Sequence, residues 1–317
     1  MQESEPLDVN RALGLVRPRS PLIAFLLSIL TPGLGHVYNG KPLRGLVLYG
    51  ILKLTMVLYG LTGFVYHYYG LWPIALTEVA IRIFIMVDAI KQARRGKGYV
   101  LKRYNHEAYY MLIGAVIIGI GFVYTSLDAL HAKTYKIPTT SLEPTVLAGD
   151  QVVVRMFHGE EFKFSYGDIV AFNPPGKREL WFFRIVALPG DSISLKRDNV
   201  ILNGIPNPFE FLREGRPEYL FPDFPDHPTY TEEFGETFPN GKYVHVLVQK
   251  NGPDSSRVYP FSALRLNSHQ YFLMGDNRDN ANDSRYLGPI DEKAIKGLLL
   301  YSYWGKTRDR INVDFRK

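Results

Sequence analysis

The residues of this 317-residue chain that could do chemistry fall into two short stretches, and the first contains Ser141. Ser141 lies in the segment 137–154, IPTTSLEPTVLAGDQVVV, which follows a long apolar region. A serine hydroxyl on a loop near a membrane could attack a peptide that emerges from the bilayer. A serine followed by proline three residues later is more often part of a structural turn, so Ser141 alone is weak evidence for catalysis.

The second stretch, Met274–Pro289, reads MGDNRDNANDSRYLGP and combines both signs of charge in one short segment. The apolar run Tyr271–Met274 leads into it, which predicts a strand that ends in a tight loop. The charged residues of this loop are Asp276, Arg278, Asp279, Asp283 and Arg285. Because arginine and carboxylate groups form strong hydrogen bonds, we expect the loop to be held against the rest of a domain. A solvated Asn/Asp-rich turn is the alternative.

The composition divides the chain into two regions. Hydrophobic residues make up 46% of it, and the formal net charge is +6. Apolar residues concentrate between positions 20 and 128, whereas residues 133–317 are polar and punctuated by proline and glycine. The absence of cysteine from the sequence excludes disulfides, catalytic thiols and thiolate metal sites. We therefore predict a helical membrane region followed by a separate domain.

We predict a cytoplasmic segment over residues 1–20 and a transmembrane region over residues 21–128. The stretch 22–37 is short for a full crossing and is interrupted by Thr31–Gly35, which favours a short or re-entrant helix. Three further stretches have the length of a membrane-crossing helix, namely 45–66, 71–90 and 108–127.

A cluster of basic residues precedes the last predicted helix: Lys91, Arg94, Arg95, Lys97, Lys102 and Arg103. The positive-inside rule places this cluster in the cytoplasm, so helix 108–127 would carry residues 133–317 to the extracytoplasmic side. We therefore predict a multi-pass protein of the cell (inner, cytoplasmic) membrane that contacts the lipid bilayer. A basic cluster can also bind nucleic acid, but between two apolar helices it is more simply a topology signal, and we expect no nucleic-acid partner.

Charged residues also occur inside the predicted helices: Lys53, Glu78, Arg82 and Asp88. Glu78 and Arg82 are four residues apart and can pair on one helical face, where Lys53 could join them. Intramembrane charge can mark a functional site, but a pair that holds two helices together is the interpretation we favour.

The region after Thr134 has the pattern of an all-β domain. Short runs rich in Val, Ile, Phe and Tyr alternate with turn residues, and Gly-Asp occurs four times beside such a run. The predicted strands are Val152–Met156, Asp168–Phe172, Leu180–Leu188, Ser192–Leu195, Tyr243–Val248 and Gln270–Met274.

Four segments in order resemble the sequence boxes of bacterial type I signal peptidases: Pro138–Thr145, Gly167–Phe172, Phe183–Asp191 and Gly275–Gly288. The resemblance covers about half of the chain. It implies a membrane-anchored serine endopeptidase with an all-β fold, shared with LexA-type repressors, that removes signal peptides from exported preproteins. Ser141 would be the nucleophile, and Thr139 and Leu142 would lie in the oxyanion and substrate pocket. We expect no cofactor or metal.

Two departures from the family pattern concern the general base. The family's base is a lysine, and Phe183 occupies its position, although a phenyl ring cannot accept a proton. The serine that hydrogen-bonds this lysine is replaced by Ala281. A substitute base could come from elsewhere in the domain. Lys177 lies too far along the strand, and the histidines to be tested are His158, His227, His245 and His269.

The chain is thus either an active signal peptidase or a non-catalytic relative that binds exported or membrane proteins. A transporter built on the helices at 45–90 is a more distant alternative. Strand alternation predicts that Phe183 faces Ser141 together with Trp181 and Ile185, opposite Phe182 and Arg184. We also expect Arg184, Asp283 and Arg285 to lie together, within a structural network that includes Asp276 and Arg278. The insertion 196–268 would form a second β-subdomain away from the active site.

Overall fold

The computed structural model describes residues 18–67, 69–95, 109, 111–116, 119, 132–157, 162–196, 199–214, 231–249 and 263–317. The chain divides into a helical unit, residues 1–65 and 70–130, and a β unit, residues 66–69 and 131–317. The predicted segment 1–20, the basic cluster after Arg95 and most of the predicted helix 108–127 lie outside the described residues, although positions 109, 111–116 and 119 are helical.

The helical unit contains four described helices: α1 Pro21–Leu30, α2 Leu34–Tyr38, α3 Pro42–Leu61 and α4 Leu71–Arg95. Ser20 caps α1, since its hydroxyl accepts a hydrogen bond from the Ile23 N–H at 3.4 Å. The predicted segment 22–37 is divided at Gly33, which has a left-handed φ of 99°. A Cβ on Gly33 would lie 2.5 Å from the carbonyl oxygen of Gly45, so α2 and α3 approach as closely as only glycine permits.

The predicted helices at 45–66 and 71–90 differ in extent from those observed. Helix α3 ends at Leu61, because Gly63 adopts a φ of 66° and stops the helix, while α4 continues to Arg95. Among the described helices, α3 alone is long and apolar enough to cross a membrane, over Pro42–Gly60.

The charged residues of α4 make local pairs. Arg82 donates to Glu78 at 2.7 Å, whereas the ammonium of Lys53 lies 5.5 Å from the centre of the Tyr49 ring. Asp88 accepts hydrogen bonds from Arg44 of α3, His36 of α2 and Gln92. The sequence pattern gave no sign of this second cluster, because its members come from three helices.

The β unit is built on an eight-stranded antiparallel sheet. Its strands are β1 Ala132–Lys136, β2 Gln151–Met156, β3 Ile169–Phe172, β4 Trp181–Ala187, β12 Gln270–Met274, β13 Ile290–Asp291, β14 Ile295–Trp304 and β15 Val313–Asp314. Their order is β1-β2-β14-β3-β4-β12-β13, with β15 beside β14. The sequence analysis missed β14, although this strand occupies the centre of the sheet.

The seven remaining strands begin with β5 Ser192–Lys196, which ends at the first residue of the predicted insertion, and continue inside that insertion with β6 Asn199–Leu202, β7 Ile205–Pro206, β8 Phe209–Glu214, β9 Thr231–Thr237, β10 Tyr243–Gln249 and β11 Leu264–Arg265. They form two sheets, β11-β5-β6-β7 and β10-β9-β8. Val246 of β10 shares a buried cluster with Val186 of β4 and Met274 of β12. The expectation of a subdomain remote from the site is therefore wrong for β10, because the main-chain N–H of Leu247 donates to the Asp276 carbonyl at 2.8 Å.

Candidate active site

Ser141 lies on the loop that joins β1 to β2. The N–H of Glu143 donates to the Thr140 carbonyl at 3.1 Å, which closes a turn around the serine. Leu142 is 2% exposed and packs in a buried cluster with Ile137 and Val146. The side chain after the serine therefore anchors the loop in the core, besides bordering the cavity described below.

The Ser141 loop is bound to the Asp/Arg loop by hydrogen bonds. The N–H of Asn277 donates to the Ser141 carbonyl at 3.1 Å, and its side-chain amide donates to the Thr140 carbonyl at 3.3 Å. The side-chain amide of Asn280 donates to the Thr140 hydroxyl. Asn277 and Asn280 of the Asp/Arg loop therefore fix the position of the Ser141 loop.

The hydroxyl of Ser141 donates a hydrogen bond to the main-chain carbonyl of Asn280 at 2.9 Å, its sole hydrogen bond in the part of the chain that the structure describes. A carbonyl oxygen can hold this proton but cannot take it, since it is not a base at neutral pH. Among the described residues, the Ser141 hydroxyl is therefore oriented by a hydrogen bond to a group that is not a base.

The candidate substitute bases have other partners or lie outside the described residues. His245 contacts Glu233 at 2.6 Å, and His269 contacts Glu292 at 3.3 Å. The ammonium of Lys177 lies 4.5 Å from the centre of the Trp181 ring. His158 and His227 belong to segments that the structure does not describe.

Phe183 and Ala281 meet the Ser141 loop around Gly275. A Cβ placed on Gly275 would lie 2.4 Å from the Ala281 Cβ, 2.6 Å from the Ser141 carbonyl oxygen and 3.4 Å from Cε1 of Phe183. Phe183 is 4% exposed, and its ring centre lies 5.8 Å from that of Phe172. The two positions at which the sequence departs from the family pattern are thus both occupied by apolar groups next to the serine.

A cavity of about 330 Å³ opens beside Ser141. Phe183 and Trp181 both line it, as strand alternation predicts, whereas Arg184 does not. Two expectations fail here, because Ile185 does not line the cavity and Phe182 does. The Phe182 ring lies 5.7 Å from that of Tyr135 of β1 between centres. The other lining residues are Ile137, Pro138, Thr139, Ser141, Leu142, Glu179, Leu180 and Asn282.

The groups that could stabilise an oxyanion are present. Within the described residues, the N–H of Ser141 makes no main-chain hydrogen bond, and the exposed Thr139 lines the same cavity. Such donors stabilise the charge that develops on a carbonyl oxygen during acyl transfer. The cavity thus combines the Ser141 and Thr139 side chains with mainly apolar walls, and the oxyanion role of Thr139 stays a prediction.

On the other side of β4, Arg184 is fully buried and paired with Asp276. Its Nε and Nη2 donate to the two carboxylate oxygens at 2.7 and 2.6 Å, and Nη1 donates to the Gly167 carbonyl at 2.6 Å. The prediction that Asp283 lies with Arg184 as its partner is therefore wrong. The register explains the difference, since Met274 pairs with Arg184 and so places residue 276 next to the guanidinium.

Asp283 instead closes the Asp/Arg loop on itself. Its carboxylate accepts from Arg285 Nε at 2.9 Å and from the Gly275 N–H at 2.9 Å, and it caps the short helix α5, Ser284–Leu287. Arg278 pairs with the buried Glu236 of β9. Sequence reasoning missed this partner because it lies in the insertion, where an isolated Glu carries no positional signal.

Comparison with known proteins supplies the family. Residues 108–304 match the model described as "Signal peptidase, peptidase S26". Curated relatives include signal peptidase I P of Bacillus subtilis subsp. natto, 28% identical over 59% of this chain and 84% of the relative. Signal peptidase I of Aquifex aeolicus is 27% identical over 55% of this chain and 76% of that protein. Signal peptidase I of Pseudomonas aeruginosa is 28% identical over 63% of this chain and 70% of that protein.

The chain belongs to the signal peptidase family. The resemblance carried by the four boxes is confirmed, and so is the β-rich domain that it implied. This signal peptidase I family protein is related to enzymes that remove signal peptides. At the positions where the resemblance implies a lysine base and its serine partner, this chain carries Phe183 and Ala281.

Glu143 is a buried carboxyl group that the sequence analysis did not single out. It is 6% exposed, its Oε1 accepts from the Ala148 N–H at 3.3 Å, and its Oε2 has no hydrogen-bond partner among the described residues. Burial raises the pKa of Glu143 to about 7. It lies two residues after Ser141, but in the described structure the Ser141 hydroxyl donates to the Asn280 carbonyl and not to this carboxyl group.

Proposed function

We propose that this signal peptidase I family protein binds the signal peptides of exported preproteins in the Ser141 cavity and cleaves them much more slowly than a relative with a lysine base. The observation that carries the proposal is the hydrogen bond from the Ser141 hydroxyl to the Asn280 carbonyl, with Phe183 and Ala281 beside it. General-base assistance contributes about 10²–10⁴ in rate. A site that keeps its shape but lacks this assistance retains binding and loses most of its turnover.

The retained features explain why binding should persist. The main-chain N–H and the side-chain amide of Asn277 donate to the Ser141 and Thr140 carbonyls and hold the loop in one position. The cavity is lined mainly by apolar side chains, which suit the apolar residues of a signal peptide. These features support a chain that binds signal peptides and turns them over slowly; a wholly non-catalytic relative is the limiting case of the same proposal.

We also propose that the protein is anchored in the cytoplasmic membrane by several helices, with the β unit on the extracytoplasmic side. Helix α3 has the length and apolarity of a membrane-crossing helix. The basic residues that follow α4 support a cytoplasmic position for that end of the helix. Lipid and exported preproteins would then meet the protein at the same membrane face.

The test uses the purified full-length protein with a preprotein and with its isolated signal peptide. We expect the wild-type chain to bind the signal peptide while cleaving the preprotein little more than Ser141→Ala does. Binding is tested with Trp181→Ala, because Trp181 lines the cavity. The matched control is Tyr286→Ala, since Tyr286 is an exposed aromatic residue that does not line it. Loss of peptide binding should occur in the Trp181 variant only.

An active peptidase with a substitute base is the second candidate. It is favoured by the retained Ser141 hydroxyl and by a Ser141 N–H that is not engaged in a main-chain hydrogen bond among the described residues. Rapid wild-type cleavage that disappears in Ser141→Ala would support this candidate and reject the proposal. His158 and His227 would then be the first residues to replace.

A further inference from the structure

The loop that carries Ser141 is held in place by two separate sets of contacts. Its first half is bound by Asn277 of the Asp/Arg loop. Its second half, residues 142–148, is instead closed around the side chain of Glu143. Leu142 begins this second half and lines the cavity, so the contacts that hold the second half also shape the peptide site.

Glu143 makes hydrogen bonds to residues on both sides of it in the loop. Its main-chain N–H donates to the Thr140 carbonyl at 3.1 Å, and its carboxyl Oε1 accepts from the Ala148 N–H at 3.3 Å. Between these two bonds, the N–H of Val146 donates to the Leu142 carbonyl at 3.0 Å. The side chain of Glu143 therefore spans the segment that positions Leu142 in the cavity wall.

The carboxyl group of Glu143 occupies a position that supports its neutral form better than its charged form. The residue is buried, and among the described residues its Oε2 has no hydrogen-bond partner. A neutral carboxyl group tolerates such a position, whereas a carboxylate there would lose its hydration and keep a single hydrogen bond. Burial accordingly raises the pKa of Glu143 to about 7.

Three charged groups adjoin the Glu143 carboxyl group, namely Asp150, Arg310 and Lys306. The buried Asp150 repels a carboxylate at this position. Arg310 is paired with Asp150 at 2.5 Å, so most of its charge is already balanced. Lys306 is exposed and packs over Gly149, where an added Cβ would lie 3.1 Å from the lysine Cε, so water screens its charge. The surroundings thus favour the neutral form of Glu143.

We propose that Glu143 is a positioning residue for the peptide site, whose neutral carboxyl group holds the Ser141 loop closed and whose ionisation opens it. This inference rests on the proposed function, because the closed loop is the form that binds the signal peptide. A carboxylate regains its hydration in water, so ionisation draws Glu143 out of the core and releases the Ala148 N–H. Leu142 then loses its support, and the cavity loses one wall.

The size of the effect follows from two pKa values of Glu143, about 7 in the closed loop and 4.5 for the exposed group. Closing the loop takes up a proton between these two values. The closed form is therefore favoured at low pH and loses this advantage as the pH rises from about 4.5 through about 7. Between about pH 6 and about pH 8 the equilibrium shifts toward the open loop by about tenfold. The affinity for a signal peptide should fall by up to the same factor.

The experiment measures the affinity of the full-length protein in detergent for a signal peptide at about pH 6 and about pH 8. The peptide is acetylated at its N-terminus and contains no histidine, so its own charge stays constant over this range. We expect the wild-type chain to bind it about three- to tenfold more weakly at the higher pH. Glu143→Gln keeps an oxygen for the Ala148 N–H but cannot ionise, so this variant should bind equally at both pH values.

Glu179→Gln is the matched control, because Glu179 also lines the cavity but is exposed. Whatever it does to the affinity itself, this variant should keep the wild-type ratio between the two pH values. Equal wild-type affinity at both pH values, or a wild-type decline that persists in Glu143→Gln, would overturn this inference and leave the proposed function intact. Absence of peptide binding at both pH values would reject the proposed function and this inference with it.

Hydrogen exchange of the Ala148 amide gives a second readout that needs no peptide. This N–H is bonded to the Glu143 carboxyl group in the closed loop and is released when the loop opens. At about pH 8 it should therefore exchange faster in the wild-type chain than in Glu143→Gln. Equal exchange rates in the two proteins at that pH would also overturn the inference.

Discussion

Phe183 and Arg184 are neighbours on β4, yet the two sides of the strand that they occupy have different chemistry. On the Arg184 side, the buried guanidinium keeps a full set of hydrogen bonds to Asp276 and Gly167. On the Phe183 side, the positions of the base and its partner are apolar, and Ser141 bonds a main-chain carbonyl. The Arg184 side, called the scaffold side below, is needed for folding whatever the protein does. The Phe183 side, called the reactive side below, is needed only for turnover.

The largest effect on stability should follow from breaking the scaffold side. Asp276→Ala leaves the buried Arg184 guanidinium without its carboxylate, which should lower the free energy of unfolding by about 3–5 kcal/mol. Glu179→Ala, an exposed position, is the control and should change it by less than about 0.5 kcal/mol. Equal thermal unfolding of the two variants would show that the Arg184 side does not stabilise the domain.

A smaller effect on stability should come from Glu143, which lies on the loop that carries Ser141. Its folded pKa of about 7 lies above the ordinary 4.5, so the folded state holds this proton more tightly than the unfolded state. Stability from this group is therefore complete below about pH 4.5 and is lost as the pH rises through about 7, by up to about 3 kcal/mol.

Glu143→Gln removes the ionisation and should flatten this part of the stability curve. The measurement is denaturant unfolding of wild type and variant at several values between about pH 5 and pH 8. Identical pH dependence of the two proteins would show that the Glu143 carboxyl does not couple folding to protonation.

The sequence predicted much of this arrangement where local patterns decide the structure. The strands at Val152–Met156 and Gln270–Met274 end within one residue of β2 and β12, because apolar runs bounded by turn residues determine them. The Ser141 and Phe183 positions came from the family boxes. The resemblance also placed Phe183 at the position of the family's lysine base.

What the sequence could not predict depends on register and on distant partners. Arg184 bonds Asp276 because of the pairing of β4 with β12, which no local pattern encodes. Glu236 and His36 are single polar residues whose roles arise only when other elements pack against them. The buried Glu143 likewise has an ordinary sequence context, and its altered pKa results from tertiary burial.

The most direct test of the account is to rebuild the reactive side of β4. Phe183→Lys combined with Ala281→Ser places an amine and its hydrogen-bond partner beside Ser141, at positions that now meet around Gly275. The measured quantity is the rate of preprotein cleavage by the full-length protein. Phe183→Met, which changes the ring without adding a base, is the matched control.

We expect a gain of about 10² or more for the double variant, abolished by adding Ser141→Ala, and no gain for Phe183→Met. A wild-type chain that already cleaves preprotein rapidly, and loses this activity in Ser141→Ala, would contradict the claim that Ser141 lacks a base.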